Sequence, residues 1–90
     1  MRSGWDYPTV AQPAYKRLDN TPPSAKFVFY VLIREGLPLK RRQLKSLTRL
    51  SERTLTNALS RLLVENLVET RLDIDEREAY YWVSNQILAD

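Results

Sequence analysis

Between positions 40 and 61 the chain sets Lys40, Arg41, Arg42, Lys45, Arg49, Arg53 and Arg61 against a single acid, Glu52. Cations at this density suit phosphate, which they meet through charge-assisted hydrogen bonds and counterion release. Thr56, Asn57 and Ser60 are mixed among them. Because Arg pairs with guanine, Asn with adenine and hydroxyls with bases or phosphate, the same stretch carries the groups needed to read base edges. The alternative is a solvated helical face, which has a similar composition. The flanks add weight to the first reading: residues 1 to 39 hold five basic and three acidic side chains, 40 to 61 seven and one, and 62 to 90 two and seven. Net charges of +2, +6 and −5 put positive potential on one part of a small fold, where it can steer an anion.

Composition removes other chemistries. With no Cys and no His, disulfides, zinc sites and Cys or His nucleophiles are excluded. Asp73, Asp75, Glu76 and Glu78 lack the ordered spacing and Gly of a calcium loop. There is no Gly-rich phosphate loop with its Lys, and 90 residues are too few for a deep pocket, so neither an enzyme nor a cofactor is expected. No apolar run approaches a signal peptide or the roughly 20 residues of a membrane span, which makes a soluble, cytoplasmic protein without membrane association the default.

The elements that must position the basic stretch can be read from caps and periodicity. Residues 1 to 20, with Gly4, Pro8 and Pro13, read as an N-terminal arm without a stable helix. The arm is either disordered or docked through Trp5, Tyr7 and Tyr15 on the domain or a second subunit, since each such ring can bury about 150 to 250 Å². Thr21 as N-cap and Pro22 at the first position start a helix that runs to about Glu35 and buries Ala25, Val28, Phe29, Leu32 and Ile33. Phe27, Tyr30 and Val31 widen its apolar stripe. Gly36 and Pro38 stop it, leaving Leu37 to Leu39 extended. A second helix from Lys40 or Arg41 to Thr48 should turn Leu44 and Leu47 inward. After a tight turn at Arg49 and Leu50, Ser51 caps a third helix, Glu52 to Glu65. Its inward stripe is Leu55, Ala58, Leu59 and Leu62, with Leu63 at the margin, and Arg53, Asn57, Ser60 and Val64 point the opposite way, flanked by Thr56 and Arg61. Asn66 suits the left-handed cap.

The period then changes to two. Val68, Thr70 and Leu72 alternate with Glu69 and Arg71, then Ala79, Tyr81 and Val83 with Tyr80 and Trp82, giving a hairpin with an acidic tip from Asp73 to Glu78. Stacking of Tyr80, Tyr81 and Trp82 on single-stranded bases is conceivable, but alternation favours core packing for about half of them. Residues 85 to 90 form a tail that could begin a helix. The sum is a mainly α fold with a β-hairpin wing: a winged helix-turn-helix of three helices and a two- or three-stranded antiparallel sheet in residues 21 to 84.

Those residues also resemble the winged-helix domain of MarR-type transcriptional regulators, especially small archaeal ones. Leu50-Ser51-Glu52-Arg53-Thr54-Leu55 resembles the entry to the family's recognition helix, and Ala58-Leu59, Leu62, Asn66-Leu67-Val68 and Glu69 its exit into the wing. Asp75-Glu76-Arg77 followed by Val83-Ser84 is similar to the family's wing signature, with Asn66 where Gly is usual. The resemblance implies a wing arginine, Arg77, entering the minor groove and oriented by Asp75.

Motif and resemblance together lead to the expectation of a sequence-specific regulator of transcription that binds double-stranded DNA. Base contacts are expected from Arg53, Thr56, Asn57, Ser60 and Arg61, and phosphate contacts from Lys40, Arg41, Arg42, Lys45, Arg49 and Ser51. A homodimer on two half-sites is expected, with the aromatic arm as its interface. The competing reading is a winged helix used as a protein-interaction module, its acidic second half docking on a basic partner.

Overall fold

In the computed structural model, residues 9–10, 12–85 and 88–89 are described, with side chains from 16 to 85. The chain order is β1 (Thr9–Val10), α1 (Gln12–Asp19), α2 (Pro23–Glu35), β2 (Leu39–Lys40), α3 (Arg41–Thr48), α4 (Glu52–Val64), β3 (Val68–Asp73), β4 (Glu78–Val83) and β5 (Leu88–Ala89).

Helix α2 is the axis of the packing. Ala25, Val28, Phe29, Leu32 and Ile33 recur at helical spacing and are buried, as the pattern predicts. Against them lie Leu44 of α3, the α4 stripe of Leu55, Ala58, Leu59 and Leu62, and Leu39, Leu67, Val68 and Tyr81 from the sheet side. Gly36 ends α2 at φ 69, where its amide donates to the Leu32 carbonyl, and a residue without Cβ takes this left-handed position without strain. Helix α4 starts at Ser51, whose hydroxyl accepts from the Thr54 amide at 3.2 Å. Asn66 then adopts φ 59 and turns the chain into β3.

The three-stranded sheet has order β2-β4-β3, all antiparallel, with Leu39 opposite Tyr81 and Thr70 opposite Tyr81 on the other side. The extended piece after Gly36 is therefore the third strand. Between β3 and β4 the turn is closed by Asp73, whose Oδ1 accepts from the amides of Asp75 and Glu76 at 3.0 and 3.2 Å. The two strands of the hairpin pack unequally: on β3 Val68 is buried and Leu72 is 60% exposed, whereas on β4 Tyr81 is buried and Ala79 and Val83 pack against the core. Tyr81 alone of the three wing aromatics is buried, with Tyr80 and Trp82 half-buried.

Several sequence expectations are corrected. The stretch before residue 21 forms a helix, α1, with Leu18 in the core, and Pro13 falls in its first turn, where a missing amide costs nothing. Trp5 and Tyr7 lie outside the described residues. Thr21 does not cap α2. Its buried hydroxyl donates back to the Leu18 carbonyl at 2.5 Å, and Pro22 occupies the N-cap position. On α3, Leu47 is exposed and Thr48 is buried in its place, its hydroxyl satisfied by the Leu44 carbonyl at 2.7 Å. Phe27 and Tyr30 stay on the open side of α2 rather than widening the core. Of the tail, Leu88–Ala89 is a strand that pairs antiparallel with Thr9–Val10.

Candidate nucleic-acid interface

Helices α3 and α4 meet across the turn at Arg49 and Leu50, with Arg49 in the left-handed conformation at φ 58. Its amide donates to the Lys45 carbonyl at 2.8 Å, which closes α3 and redirects the chain to Ser51. Once Leu55, Ala58, Leu59 and Leu62 are buried, the helical period leaves Arg53, Thr56, Asn57, Ser60 and Arg61 exposed, as the spacing predicts. The outer rows of α4 are thus free of the core.

These five side chains are not equivalent. Arg53, Asn57 and Ser60 make no side-chain hydrogen bond or ion pair among the described residues. Thr56 is engaged on both sides: its hydroxyl donates to the Glu52 carbonyl at 2.8 Å and accepts a hydrogen bond from Arg41 Nη2. Arg61 turns away along the helix to donate to the carbonyl of Asn20, just past α1, at 2.9 Å.

The cations of α3 are drawn toward carboxylates. Lys40 Nζ lies 3.1 Å from Glu76 and 3.4 Å from Glu78 on the wing, and stands 5.6 Å from the centre of the Tyr80 ring. Arg42 reaches Glu78 at 3.3 Å. Glu52, in the first turn of α4, takes Arg41 at 3.3 Å and Lys45 at 3.2 Å. Lys40 also supplies the amide that Gln43 Oε1 accepts at 2.8 Å, which starts α3. Of the remaining phosphate candidates, Arg49 has no side-chain partner among the described residues, and the Ser51 hydroxyl caps α4.

Proton affinities follow the same contacts. The hydrogen bond from Lys45, then its charge and the Arg41 contacts, hold the Glu52 carboxyl below the usual range. Glu76 is lowered first by the Tyr80 hydroxyl, which donates to it at 2.8 Å, and then by Lys40. The bond to Glu76 in turn raises the Tyr80 phenol and the Lys40 ammonium.

At the wing turn, Arg77 is exposed with φ 56. No Asp75–Arg77 pair forms among the described residues; Asp73, rather than Asp75, organises the turn. The sequence reading missed Glu52, Glu76 and Glu78 as partners of the basic helix. For Glu76 and Glu78 the available signal is the −5 segment beside the +6 segment, whose opposite charges attract within the chain, and for Glu52 it is the lone acid among seven cations.

Among the described residues, four helices, a turn between α3 and α4 and a three-stranded antiparallel sheet ending in a projecting hairpin define a winged helix-turn-helix fold. The crystal structure of the PcaV transcriptional regulator from Streptomyces coelicolor, in complex with its natural ligand, is similar at a TM-score of 0.66 and 20% sequence identity. The match covers 83% of this chain and 57% of that one, so the present chain corresponds to little more than half the length of that regulator. No family model and no curated protein matches the sequence. Among the described residues, no helix is long and apolar enough to cross a membrane.

Proposed function

We infer that the chain is a sequence-specific regulator of transcription that binds double-stranded DNA, with α4 in the major groove and the β3–β4 wing beside the minor groove. The observation that carries this reading is the outward face of α4, where Arg53, Asn57 and Ser60 are exposed and bonded to nothing else among the described residues. Base-reading groups in that state lose no internal bond on meeting a base edge. Thr56 and Arg61 flank them and join the contact at the cost of their bonds to Arg41 and to the Asn20 carbonyl. Arg49, Ser51 and the more exposed α3 cations, Arg42 and Lys45, supply phosphate contacts.

Backbone strain supports the same assignment. Arg49 and Arg77 occupy left-handed positions that glycine would take at lower energy, and both extend from a turn a cation with no side-chain partner among the described residues. Arg77 is the wing's minor-groove contact, without help from Asp75. The protein acts in the cytoplasm as a homodimer on two half-sites about one helical turn apart.

The reading is tested by titrating random duplex and native promoter duplex at two salt concentrations. Arg53→Ala removes the preference between them, by about 1 to 3 kcal/mol if a bidentate base contact is lost, whereas Lys45→Ala weakens both alike. A wild-type chain that binds neither duplex at low salt overturns it. That outcome favours the protein-interaction reading, whose specific support is the wing: Leu72 and Ile74 are 60% and 80% exposed beside an acidic turn, a surface for a basic, partly apolar partner.

A further inference from the structure

Four cations of the proposed interface are already paired within the chain, sharing three carboxylates, and they fall into two kinds. Lys40 and Arg41 have side chains only 16% and 32% exposed, and each has several partners: Lys40 holds Glu76, Glu78 and the Tyr80 face, while Arg41 holds the Glu52 carboxylate and carbonyl and the Thr56 hydroxyl. Moving either would break a network that joins α3 to the wing or to α4. Arg42 and Lys45 are 70% and 46% exposed, and each meets a single carboxylate, Glu78 and Glu52 respectively. Exposed single pairs are weak and readily screened, so these two cations can change partners at little cost.

We propose that Glu78 and Glu52 occupy the place of phosphate in the free protein, holding Arg42 and Lys45 extended on the interface until a polyanion displaces the carboxylates. The exchange keeps two ion pairs in number while releasing the counterions condensed on the polyanion, which supplies the driving force. Glu78 on the wing and Glu52 at the start of α4 thereby compete with the nucleic acid for Arg42 and Lys45. Lys40 and Arg41 remain structural throughout.

This rests on the DNA-binding reading, and heparin separates the two because it tests cation availability without base recognition. Wild type, Glu78→Gln, Glu52→Gln and Asp75→Asn are compared on heparin and on a short duplex. Asp75→Asn is the control, since it makes the same change in net charge at a carboxylate with no cation partner among the described residues. The two glutamine variants should bind heparin and duplex roughly two- to fivefold more tightly than Asp75→Asn. The gain from Glu78→Gln should vanish on an Arg42→Ala background, and that from Glu52→Gln on Lys45→Ala. Affinities equal to that of Asp75→Asn overturn the competition even where duplex binding is normal. A gain on heparin with no duplex binding by any variant leaves the competition standing and removes the DNA reading. Because Glu52 also holds Arg41, Glu78→Gln decides if circular dichroism shows that Glu52→Gln disturbs the fold.

Discussion

On α3, Arg41, Arg42 and Lys45 each end on a carboxylate of α4 or β4, whereas on α4 Arg53, Asn57 and Ser60 end in solvent. Both helices show mainly polar residues outward and bury leucine inward, Leu44 on α3 and Leu55, Leu59 and Leu62 on α4, so composition alone does not separate them. Position does: α3 lies between the first turn of α4 and the returning strand of the wing, and both neighbours bring acids within reach. A segment's formal charge thus overstates the cation it can offer a ligand. Of the proposed base-reading groups, Arg53, Asn57 and Ser60 are unpaired among the described residues, whereas the proposed phosphate groups Arg42 and Lys45 are each paired with a carboxylate.

The comparison breaks first if the two helices lose their common support. Leu55 is fully buried, and Leu55→Ala should destabilise the fold by about 2 to 5 kcal/mol in chemical denaturation and abolish duplex binding with it. A milder loss would mean that α4 is held from outside the core. Next in size, Arg49→Gly and Arg77→Gly should each leave stability unchanged or raise it by about 1 kcal/mol while lowering duplex affinity severalfold. Affinity that follows stability upward would return both arginines to a purely local role.

Salt dependence sharpens the comparison further. Five α3 and turn cations contacting phosphate would give a slope of log K against log salt near −4.5 per subunit, at about −0.9 per phosphate. With Lys40 and Arg41 kept as structural ties, Arg42, Lys45 and Arg49 remain, and the expected slope is about −2.7. A measured value at the steeper figure would show that the enclosed pair opens as well.

The smallest effect is on the dependence of stability on pH. Glu52 and Glu76 have folded-state affinities for protons below the ordinary carboxylate value of 4.5, so their contribution is complete above that value and fades as pH falls through the lower folded values. Lys40 and Tyr80 are raised above 10.5 and 10.0, so theirs is complete below pH 10 and fades as pH rises through the folded values. Denaturant midpoints followed across pH should show a shallow acid limb that flattens in Glu52→Gln and at high salt.

Much of the fold was legible because its signals are local. Ser51, Gly36 and Asn66 act within one turn of their own position, and the α4 stripe repeats over thirteen residues. Helix α1 was not legible, because eight residues with one core leucine show no clear period and Pro13 looks like a breaker until its place in the first turn is known. Leu47 and Thr48 exchanged roles for a similar reason: hydropathy ranks leucine inward, but a threonine that bonds its own helix loses little by burial. For the candidate site, the outward types on α4 could be read from periodicity. The ties on α3 could not, since Lys40 and Glu76 are 36 positions apart and meet only after β2 pairs with β4.

The short ladder of Thr9–Val10 with Leu88–Ala89 places the two ends of the described chain side by side. A brief glycine-rich linker could therefore join them, and new ends opened in the hairpin turn would yield a circular permutant with the same packing. In such a molecule β3 and β4 would end in separate tails, each open to lengthening.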